Sequence, residues 1–291
     1  MYPARFDYLA PTSVEEALSA LAERGDDAKV LAGGQSLIPL MKLRLAAPAM
    51  LIDINRLPGM AFIEPADGHL RIGALARHND LADSDVVRRA NHTMAAAAPW
   101  IADPLVRNLG TIGGSLAHAD PQGDWGSVML ACGGEVVARS TAGERVIPIG
   151  EFLLGVFTTA LRPDELLTEI RVPRYGGPAG GTYLKLERKV GDYATVGVAI
   201  HLQLDDQRQR ITQAGIGLTA VAPGNLKATV AEETLIGQPP GEQLFADAAN
   251  LAAQAAEPRT DVRGSAEYKR DVVRVFVQRG LARAMELAAS A

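Results

Sequence analysis

The chain contains a single cysteine, Cys132, among its 291 residues. An internal disulfide, a cysteine-ligated iron–sulfur cluster and a zinc ribbon each need more than one cysteine, so the sequence excludes all three. The five histidines, at positions 69, 78, 92, 118 and 201, form neither an HxH nor an HExxH pattern, so no short metal-binding motif is present. Redox chemistry in this chain would therefore require an organic cofactor.

The sequence also has no excess of basic residues and no long apolar run. The 29 Lys and Arg residues are outnumbered by 34 Asp and Glu, which argues against a nucleic-acid-binding surface. No apolar run reaches the length of about 18 residues that a membrane span needs, and the N-terminal segment has no signal-peptide core. The length predicts about two domains. We therefore expect a soluble, cytoplasmic protein of two domains.

The first 55 residues have the pattern of a minimal parallel βαβ unit. A helix is predicted over 14–24, where Ser13 and Glu16 have the spacing of a capping box. The elements predicted after it are a strand at 28–31, a Gly-rich turn at 32–36, a helix at 37–45 and a strand at 50–54. A strand, a turn, a helix and a second strand in this order are typical of parallel pairing.

The remainder predicts an α+β arrangement, because short strands are grouped rather than alternating regularly with helices. Strands are predicted at 61–64, 70–74, 135–138, 145–149 and 166–172, with a helix at 85–100. The Gly-rich segment 175–181 is the predicted linker. Three antiparallel strands are predicted after it, at 182–190, 194–204 and 211–219, followed by helices at 225–236, 242–256 and 265–289.

Two of the five Gly-Gly pairs share a context that suggests phosphate binding. Both are followed closely by a hydroxyl residue, in Ala32-Gly33-Gly34-Gln35-Ser36 and in Thr111-Ile112-Gly113-Gly114-Ser115. Glycines allow backbone N–H groups to approach an anion, and a helix that starts after the loop adds partial positive charge. Two such loops can hold the two phosphates of one dinucleotide. The alternative is two tight turns, and neither loop matches the GxGxxG or the P-loop pattern.

Two further stretches contain candidate binding residues. The segment from Ile101 to Trp125 is rich in Gly, Pro and Asp and is predicted to be a long functional loop. Within it, Asp120 and Asp124 either bind ribose or ribityl hydroxyls or cap turns, and His118 is interpreted as an ordinary loop histidine. The turn Gly191-Asp192-Tyr193 either holds an aromatic ring against a planar ligand or belongs to a solvated strand edge.

With these motifs in order, the whole chain resembles the FAD-binding medium subunits of molybdenum hydroxylases, particularly the carbon monoxide dehydrogenase type. The most specific segments are 32–39, 103–124, 185–195 and 261–268. The resemblance implies an α+β fold with a two-subdomain FAD-binding domain of the vanillyl-alcohol oxidase (PCMH-type) superfamily at 1–176. Its subdomains would be about 1–55 and 56–176. A C-terminal domain at 182–291 would contain a three-stranded antiparallel sheet with helices.

The resemblance also implies which residues contact the cofactor FAD. The two glycine loops would bind its pyrophosphate, through Ala32, Gly33, Gly34, Gln35, Ser36 and Leu37, and through Thr111, Ile112, Gly113, Gly114 and Ser115. The other implied contacts are Ile101, Ala102, Asp124, Leu161, Lys185 and Tyr193, the last beside the flavin ring. Gln35 and Ser115 stand where the family more often has His and Asn. No catalytic residue and no metal ligand is implied.

The resemblance further implies an electron-transfer role. The chain would take electrons from the iron–sulfur clusters of a small subunit, which receives them from a molybdopterin-binding large subunit. It would pass them to a soluble or quinone acceptor, in a dimer of heterotrimers that is cytoplasmic or peripheral at the inner face of the membrane. One alternative is a self-sufficient flavoenzyme of the same fold, and another is a flavin-free scaffold. Carbon monoxide, an aldehyde, a purine or an N-heterocycle all remain open as substrate.

Overall fold

The computed structural model describes residues 2–290, and the chain begins with a small parallel sheet. Its elements are β1 (Asp7–Leu9), α1 (Val14–Arg24), a 3-10 turn (Gly25–Asp27), β2 (Ala28–Leu31), α2 (Leu37–Lys42) and β3 (Met50–Asp53). The strands have the order β1-β3-β2, and β3 is parallel to both neighbours. The predicted βαβ unit is therefore present, with β1 as an additional edge strand. That strand escaped prediction because it is short and mostly exposed.

Helix α1 begins where the sequence predicts, but its capping differs in detail. The Ser13 hydroxyl accepts the N–H of Glu16 at 3.1 Å, as in a capping box. The Glu16 carboxylate accepts from the N–H of Thr12 at 2.7 Å rather than from that of Ser13. Helix α2 ends at Lys42, three residues before the predicted end, and Arg44 beyond it has a positive φ of 58°.

An antiparallel sheet forms the second layer. Its strands are β4 (Ile63–Ala66), β5 (His69–Gly73), β6 (Glu135–Ser140), β7 (Gly143–Pro148) and, further along the chain, β10 (Leu166–Pro173). Their order is β4-β5-β10-β6-β7, so the last strand in sequence lies in the middle. A small hairpin pairs β8 (Leu153–Gly155) with β9 (Thr158–Thr159), and a short helix, α9 (Ile149–Phe152), precedes it.

The single helix predicted at 85–100 is wrong, because the chain breaks at Asn91. Residues 78–100 contain α3 (His78–Asp83), α4 (Asp85–Ala90), α5 (His92–Ala97) and a 3-10 turn (Ala98–Trp100). Asn91 has extended backbone angles, and its side-chain oxygen accepts the N–H of Met94 at 3.0 Å. Asn91 therefore ends one helix and caps the next, a role that asparagine favours.

The long irregular loop predicted from Ile101 to Trp125 is also wrong in its local structure. It contains α6 (Pro104–Leu109), α7 (Ile112–His118) and the first residues of α8 (Asp124–Cys132). Asp103 caps α6 by accepting the N–H of Val106, and Thr111 caps α7 by accepting that of Gly114. Because the helices are short and contain Gly and Pro, periodicity did not reveal them.

The C-terminal part is a sheet covered by helices. It consists of β11 (Ala179–Leu186), β12 (Val196–Leu204), β13 (Ile211–Thr219), β14 (Leu226–Lys227), α10 (Thr229–Leu235), α11 (Glu242–Ala255) and α12 (Ala266–Ser290). The strands are antiparallel and adjacent in sequence order. The predicted helix at 225–236 is wrong at its start, where β14 adds a short fourth strand. The predicted linker at 175–181 is too long, because Gly180 belongs to β11 and packs against the backbone of α12.

Two hydrophobic cores result, and helix α8 connects them. The first core joins both N-terminal layers around Ile52, Ile72 and Trp125, and the second lies between the C-terminal sheet and its helices. Every residue of α8 is buried, and its backbone at Ser127 lies directly against Gly217 of β13. The start of α8, at Asp124, is thereby fixed between the two parts of the molecule. Within residues 2–290 no helix has both the length and the apolarity to cross a membrane.

Candidate functional site

The first glycine loop, residues 32–36, offers a row of free backbone donors. It leaves the carboxyl end of β2 and enters α2. Within residues 2–290, the N–H groups of Gly33, Gly34, Gln35 and Ser36 donate to no acceptor. Gly34 has φ +72°, a conformation that glycine adopts at no steric cost, and successive N–H groups around such a residue form a nest for an anion. The loop therefore has the donors that a phosphate requires.

The second glycine loop, residues 111–115, uses most of its donors internally. The N–H of Ile112 donates to Ala76 O at 3.1 Å and that of Gly113 to Ala74 O at 3.0 Å. The N–H of Gly114 donates to the Thr111 hydroxyl, and the N–H of Ser115 donates to the Thr111 carbonyl. In the described chain, the Thr111 N–H and the Ser115 hydroxyl have no hydrogen-bond partner. This loop is therefore held rigidly and offers two donors rather than a nest.

The two loops are in direct contact. A Cβ added to Gly33 would lie 2.7 Å from the Cα of Gly110, immediately before the second loop. A Cβ added to Gly114 would lie 3.7 Å from the Cβ of Ala32. Because this approach depends on the absence of side chains, the glycines serve to bring the loops together as well as to expose N–H groups. The fold thus brings together the two segments that the sequence analysis paired only because each has Gly-Gly followed by a hydroxyl residue.

Asn55 and Arg77 connect the two loops, and neither was predicted. The Asn55 side-chain amide donates to Ala32 O at 2.6 Å and accepts from the Arg77 guanidinium at 2.9 Å. Arg77 also donates to Leu109 O. Asn55 lies two residues after the end of β3, at the edge where parallel strands end and ligands bind, so its position was a usable signal. Arg77 had no such signal, because it follows a strand of the other sheet.

A strip of backbone at residues 99–103 precedes α6. Ile101 is buried, and Ala102 has a positive φ of 46°. The guanidinium of Arg107 donates to the carbonyls of Pro99, Ile101 and Ala102 at 2.9–3.1 Å. The Nε of Arg107 is buried and has no hydrogen-bond partner within residues 2–290. Arg107 therefore fixes the conformation of the strip in which the sequence predicts two cofactor contacts.

Asp124 and Lys185 form a buried ion pair. Lys185 Nζ lies 2.9 Å from Asp124 Oδ2, and the two side chains are only 1% and 6% exposed. Tyr183 donates to Asp124 Oδ1 at 2.5 Å, and Lys185 also donates to Trp100 O at 2.9 Å. Burial raises the pKa of the Asp124 carboxyl, whereas the Lys185 ammonium and the Tyr183 hydroxyl act in the opposite direction. Both predicted cofactor residues are therefore engaged with each other.

Glu187 adds a second carboxylate beside this pair. Its Oε2 lies 3.7 Å from Lys185 Nζ, and it is buried without a hydrogen-bond partner among residues 2–290. A buried acceptor that lacks a hydrogen-bond donor is costly, by about 1–3 kcal/mol, and here the ion pair with Lys185 offsets part of that cost.

Tyr193 and Leu161 lie on different segments. Tyr193 follows the turn at Gly191 and is 47% exposed. Burial and the nearby Asp120 carboxylate raise the pKa of its hydroxyl. Leu161 follows β9, which packs against α7, and its side chain is half-buried against the first core. The structure thus places Leu161 behind the second loop and Tyr193 on an accessible turn.

The donor set fits an anionic dinucleotide better than a metal ion. Four free N–H groups, the Thr111 N–H and the Ser115 hydroxyl are all hydrogen-bond donors, as phosphate oxygens require. Residues 2–290 contain no group of three or more His, Cys, Asp or Glu side chains placed to hold a metal ion.

Two known family models together match nearly the whole chain. Residues 4–175 match the family model described as the FAD binding domain in molybdopterin dehydrogenase. Residues 181–284 match the CO dehydrogenase flavoprotein C-terminal domain.

Individual relatives match end to end. The 6-hydroxypseudooxynicotine dehydrogenase complex subunit alpha of Paenarthrobacter nicotinovorans is 43% identical, covering 99% of this chain and 97% of the relative. The carbon monoxide dehydrogenase medium chain of Hydrogenophaga pseudoflava is 41% identical, with 97% of each covered. A solved carbon monoxide dehydrogenase from the same organism, lacking the Mo-pyranopterin moiety of its cofactor, matches with a TM-score of 0.94 and 42% identity. That match covers 98% of this chain and 99% of the solved one.

Proposed function

The chain belongs to the family of FAD-binding medium subunits of molybdenum hydroxylases, and we propose that it carries electrons from a partner subunit to an external acceptor. Its cofactor is FAD, and it is one component of an oxidoreductase. A chain with one cysteine cannot ligate an iron–sulfur cluster by itself. Electrons therefore reach its flavin from clusters on another subunit.

The observation that carries the proposal is the row of four free N–H groups at residues 33–36. They bind the FAD pyrophosphate, with the Ala32 and Leu37 backbone forming the two ends of the same loop. The second loop adds the Thr111 N–H and the Ser115 hydroxyl, while Ile112, Gly113 and Gly114 hold its shape. Asn55 and Arg77 keep both loops at the distance that one pyrophosphate requires.

The remaining predicted residues form the rest of the FAD site. Ile101, Ala102 and Leu161 supply apolar contacts, and Tyr193 packs beside the flavin ring. Asp124 and Lys185 are buried together, so they act as a neutral pair that positions ribityl or ribose hydroxyls. The corresponding domain boundaries are 1–176 for FAD binding and 182–291 for the C-terminal domain.

The residues of this chain bind and orient the cofactor rather than react. When bound, FAD supplies reversible electron uptake, and the protein sets its position and electrostatic surroundings. No nucleophile or general base is needed, which agrees with the absence of an exposed reactive thiol: Cys132 is buried, and burial raises the pKa of its thiol to about 11. Catalysis on the organic or gaseous substrate belongs to a partner.

The partners are a molybdopterin-binding large subunit and an iron–sulfur small subunit, arranged as a dimer of heterotrimers. The relatives support a complex of several subunits, since one is named as a subunit of a dehydrogenase complex and another as a medium chain. Their names refer to 6-hydroxypseudooxynicotine and to carbon monoxide, although both are more than 40% identical to this chain. We therefore assign the choice of substrate to the large subunit, and the acceptor is a soluble carrier or a quinone.

Affinity purification of the tagged chain from its native cells tests the proposal. The expected result is a yellow protein whose absorbance shows oxidised flavin, together with two further chains that contain molybdopterin and iron–sulfur clusters. A colourless preparation would contradict the assignment of the loops. A flavin-containing chain that purifies alone and oxidises a small substrate would contradict the electron-transfer role.

A further inference from the structure

The segment 261–268 forms a fixed loop and the first residues of α12. The backbone N–H of Asp261 donates to Gly264 O at 3.1 Å, and that of Gly264 donates to Asp261 O at 3.2 Å. The Asp261 carboxylate pairs with Lys269 Nζ at 2.7 Å, and the Lys269 side chain is only 3% exposed. The loop is thereby attached to a buried position on the helix, and Arg263 projects from a rigid base.

Arg263 holds the turn that contains Tyr193. Its two terminal nitrogens donate to the two Asp192 carboxylate oxygens at 3.1 and 3.2 Å, and one also donates to the Tyr193 carbonyl at 2.9 Å. The Arg263 and Asp192 side chains are only 14% and 12% exposed, so solvent screens this pair less than an exposed one. A two-point contact of this kind fixes orientation as well as distance.

The turn also packs against the strip of backbone at residues 99–103. A Cβ added to Gly191, which has φ +83°, would lie 3.0 Å from the Asp103 Cβ and 3.1 Å from its backbone nitrogen. Tyr193 itself is half exposed, so neighbouring side chains do not enclose its ring. Two features therefore direct the ring: the Asp120 carboxylate beside its hydroxyl, and its backbone, which is held by Arg263 on one side and by residues 102–103 on the other.

We propose that Arg263 is a positioning residue that sets the Tyr193 ring against the flavin through the Asp192 carboxylate and the Tyr193 carbonyl. This inference rests on the proposed function, because it takes the flavin to lie beside Tyr193. It gives the segment 261–268 a role: this segment acts on the cofactor site through the Arg263 side chain. Lysine cannot replace this arginine, because a single ammonium lacks the planar fork that contacts both carboxylate oxygens.

The first measurement uses the chain without cofactor, so it does not depend on flavin binding. Hydrogen exchange is followed by mass spectrometry in the segment 188–195, for the wild type, Arg263→Gln, Arg263→Lys and the control Arg283→Gln. Arg283 lies on α12 and pairs with Glu286 at the surface. We expect exchange in this segment to rise about tenfold or more in Arg263→Gln, since hydrogen bonds to charged groups are lost. Unchanged exchange would overturn the proposal.

The second measurement uses the flavin-loaded complex and reads the flavin potential and its reoxidation by oxygen. We expect Arg263→Gln to shift both in the same direction as Tyr193→Ala, and the double variant to show no further shift. Arg263→Lys should fall between Arg263→Gln and the wild type, and Arg283→Gln should match the wild type. Additive effects in the double variant, or a shift in Tyr193→Ala alone, would overturn the positioning role.

These outcomes are distinct from failure of the proposed function. If the wild type retains no flavin, the FAD assignment fails, while the exchange measurement still decides whether Arg263 holds the turn. A lower melting temperature in Arg263→Gln, with potential and reoxidation equal to the wild type, would make Arg263 a purely structural residue and contradict the proposal.

Discussion

In the first glycine loop, the N–H groups of residues 33–36 have no acceptor within residues 2–290. In the second loop, the N–H groups of residues 112–115 all donate to other groups of the protein. Both loops nevertheless contain Gly-Gly followed by a serine. The difference lies in what surrounds them. The first loop connects a parallel strand to a helix, while the second is anchored to residues 74–76 and to its own cap. Similar short sequences thus provide an anion nest in one place and a rigid support in the other.

The glycines of the two loops are required for different reasons. Gly33 is required because the Leu109–Gly110 backbone lies against it, and Gly34 because of its positive φ. Gly113 is required because α7 packs on the backbone of Ala74, 2.6 Å from the place of a Cβ. A substitution in the first loop therefore affects the ligand site directly. A substitution in the second affects the ligand through the packing of a helix.

The largest expected effect comes from Gly33→Val, which tests the nest itself. The added side chain collides with the backbone before the second loop, so the row of free N–H groups is displaced. We expect loss of retained FAD, measured by the flavin absorbance of the purified protein. Gly176→Val is the matched control, because a Cβ there meets nothing within 4 Å and no positive φ is involved.

Full flavin content in Gly33→Val would contradict the assignment of the first loop. Gly133 and Gly177 are poorer controls, since both have positive φ angles, of 62° and 84°. Valine at those positions would strain the backbone whether or not FAD is bound.

Both loops could be predicted from the sequence, but the difference between them could not. The Gly-Gly pairs with nearby serines identified both loops, and the periodicity of residues 14–54 predicted the strand and helix around the first. The sequence did not predict whether the N–H groups of each loop are free or hydrogen-bonded. The acceptors Ala74 O and Ala76 O follow a strand of another sheet, and no local pattern indicates such a distant partner.

The fold class expected from the resemblance is confirmed, and its local errors have physical causes. The helices at 104–109 and 112–118 are one or two turns long and depend on the caps Asp103 and Thr111. Such helices are stabilised by tertiary packing rather than by propensity, so periodicity misses them. The family resemblance indicated Asp124 and Lys185, but only the folded chain reveals that they pair with each other.

The second expected effect concerns His78, which packs against Gly110, immediately before the second loop. Its Nδ1 accepts the Trp125 indole N–H at 3.0 Å, and a Cβ on Gly110 would lie 2.8 Å from its ring. Burial is the main cause that lowers the pKa of His78 from 6.5 to about 4, and the positive charges of Arg107 and Arg77 act in the same direction. The unfolded chain therefore binds more protons between those values, so stability is full above pH 6.5 and falls as the pH drops towards 4. Complete protonation costs about 3 kcal/mol.

Thermal unfolding between pH 4 and 7 measures this effect. His201 contributes in the same direction, because burial lowers its pKa to about 3. We therefore expect His78→Gln to reduce the slope of melting temperature against pH without removing it. An unchanged slope in His78→Gln would contradict the role of His78.

The third expected effect concerns Arg77, which joins the two loops. Arg77→Gln removes a charged donor from Leu109 O and from Asn55 Oδ1. Hydrogen bonds to charged groups contribute about 1.5–3 kcal/mol. We expect FAD affinity to fall by about tenfold to a hundredfold, measured by quenching of flavin fluorescence on titration. Arg283→Gln, in a surface pair, should have no effect; equal affinities in the two variants would show that the loops keep their spacing without Arg77.

The smallest expected effect compares the serines of the two loops. Ser115→Ala removes one of the two free donors of the second loop, while Ser36→Ala leaves all four N–H groups of the first loop in place. A neutral hydrogen bond contributes about 0.5–1.5 kcal/mol, so Ser115→Ala should weaken FAD binding by about threefold to tenfold. Ser36→Ala should weaken it by less, because the neighbouring N–H groups still hold the phosphate. Both are measured by the same fluorescence titration, with melting temperatures of the cofactor-free variants as a control for folding. A larger loss in Ser36→Ala would mean that the first loop binds through its hydroxyl rather than its backbone, and the contrast between the two loops would then rest on side chains.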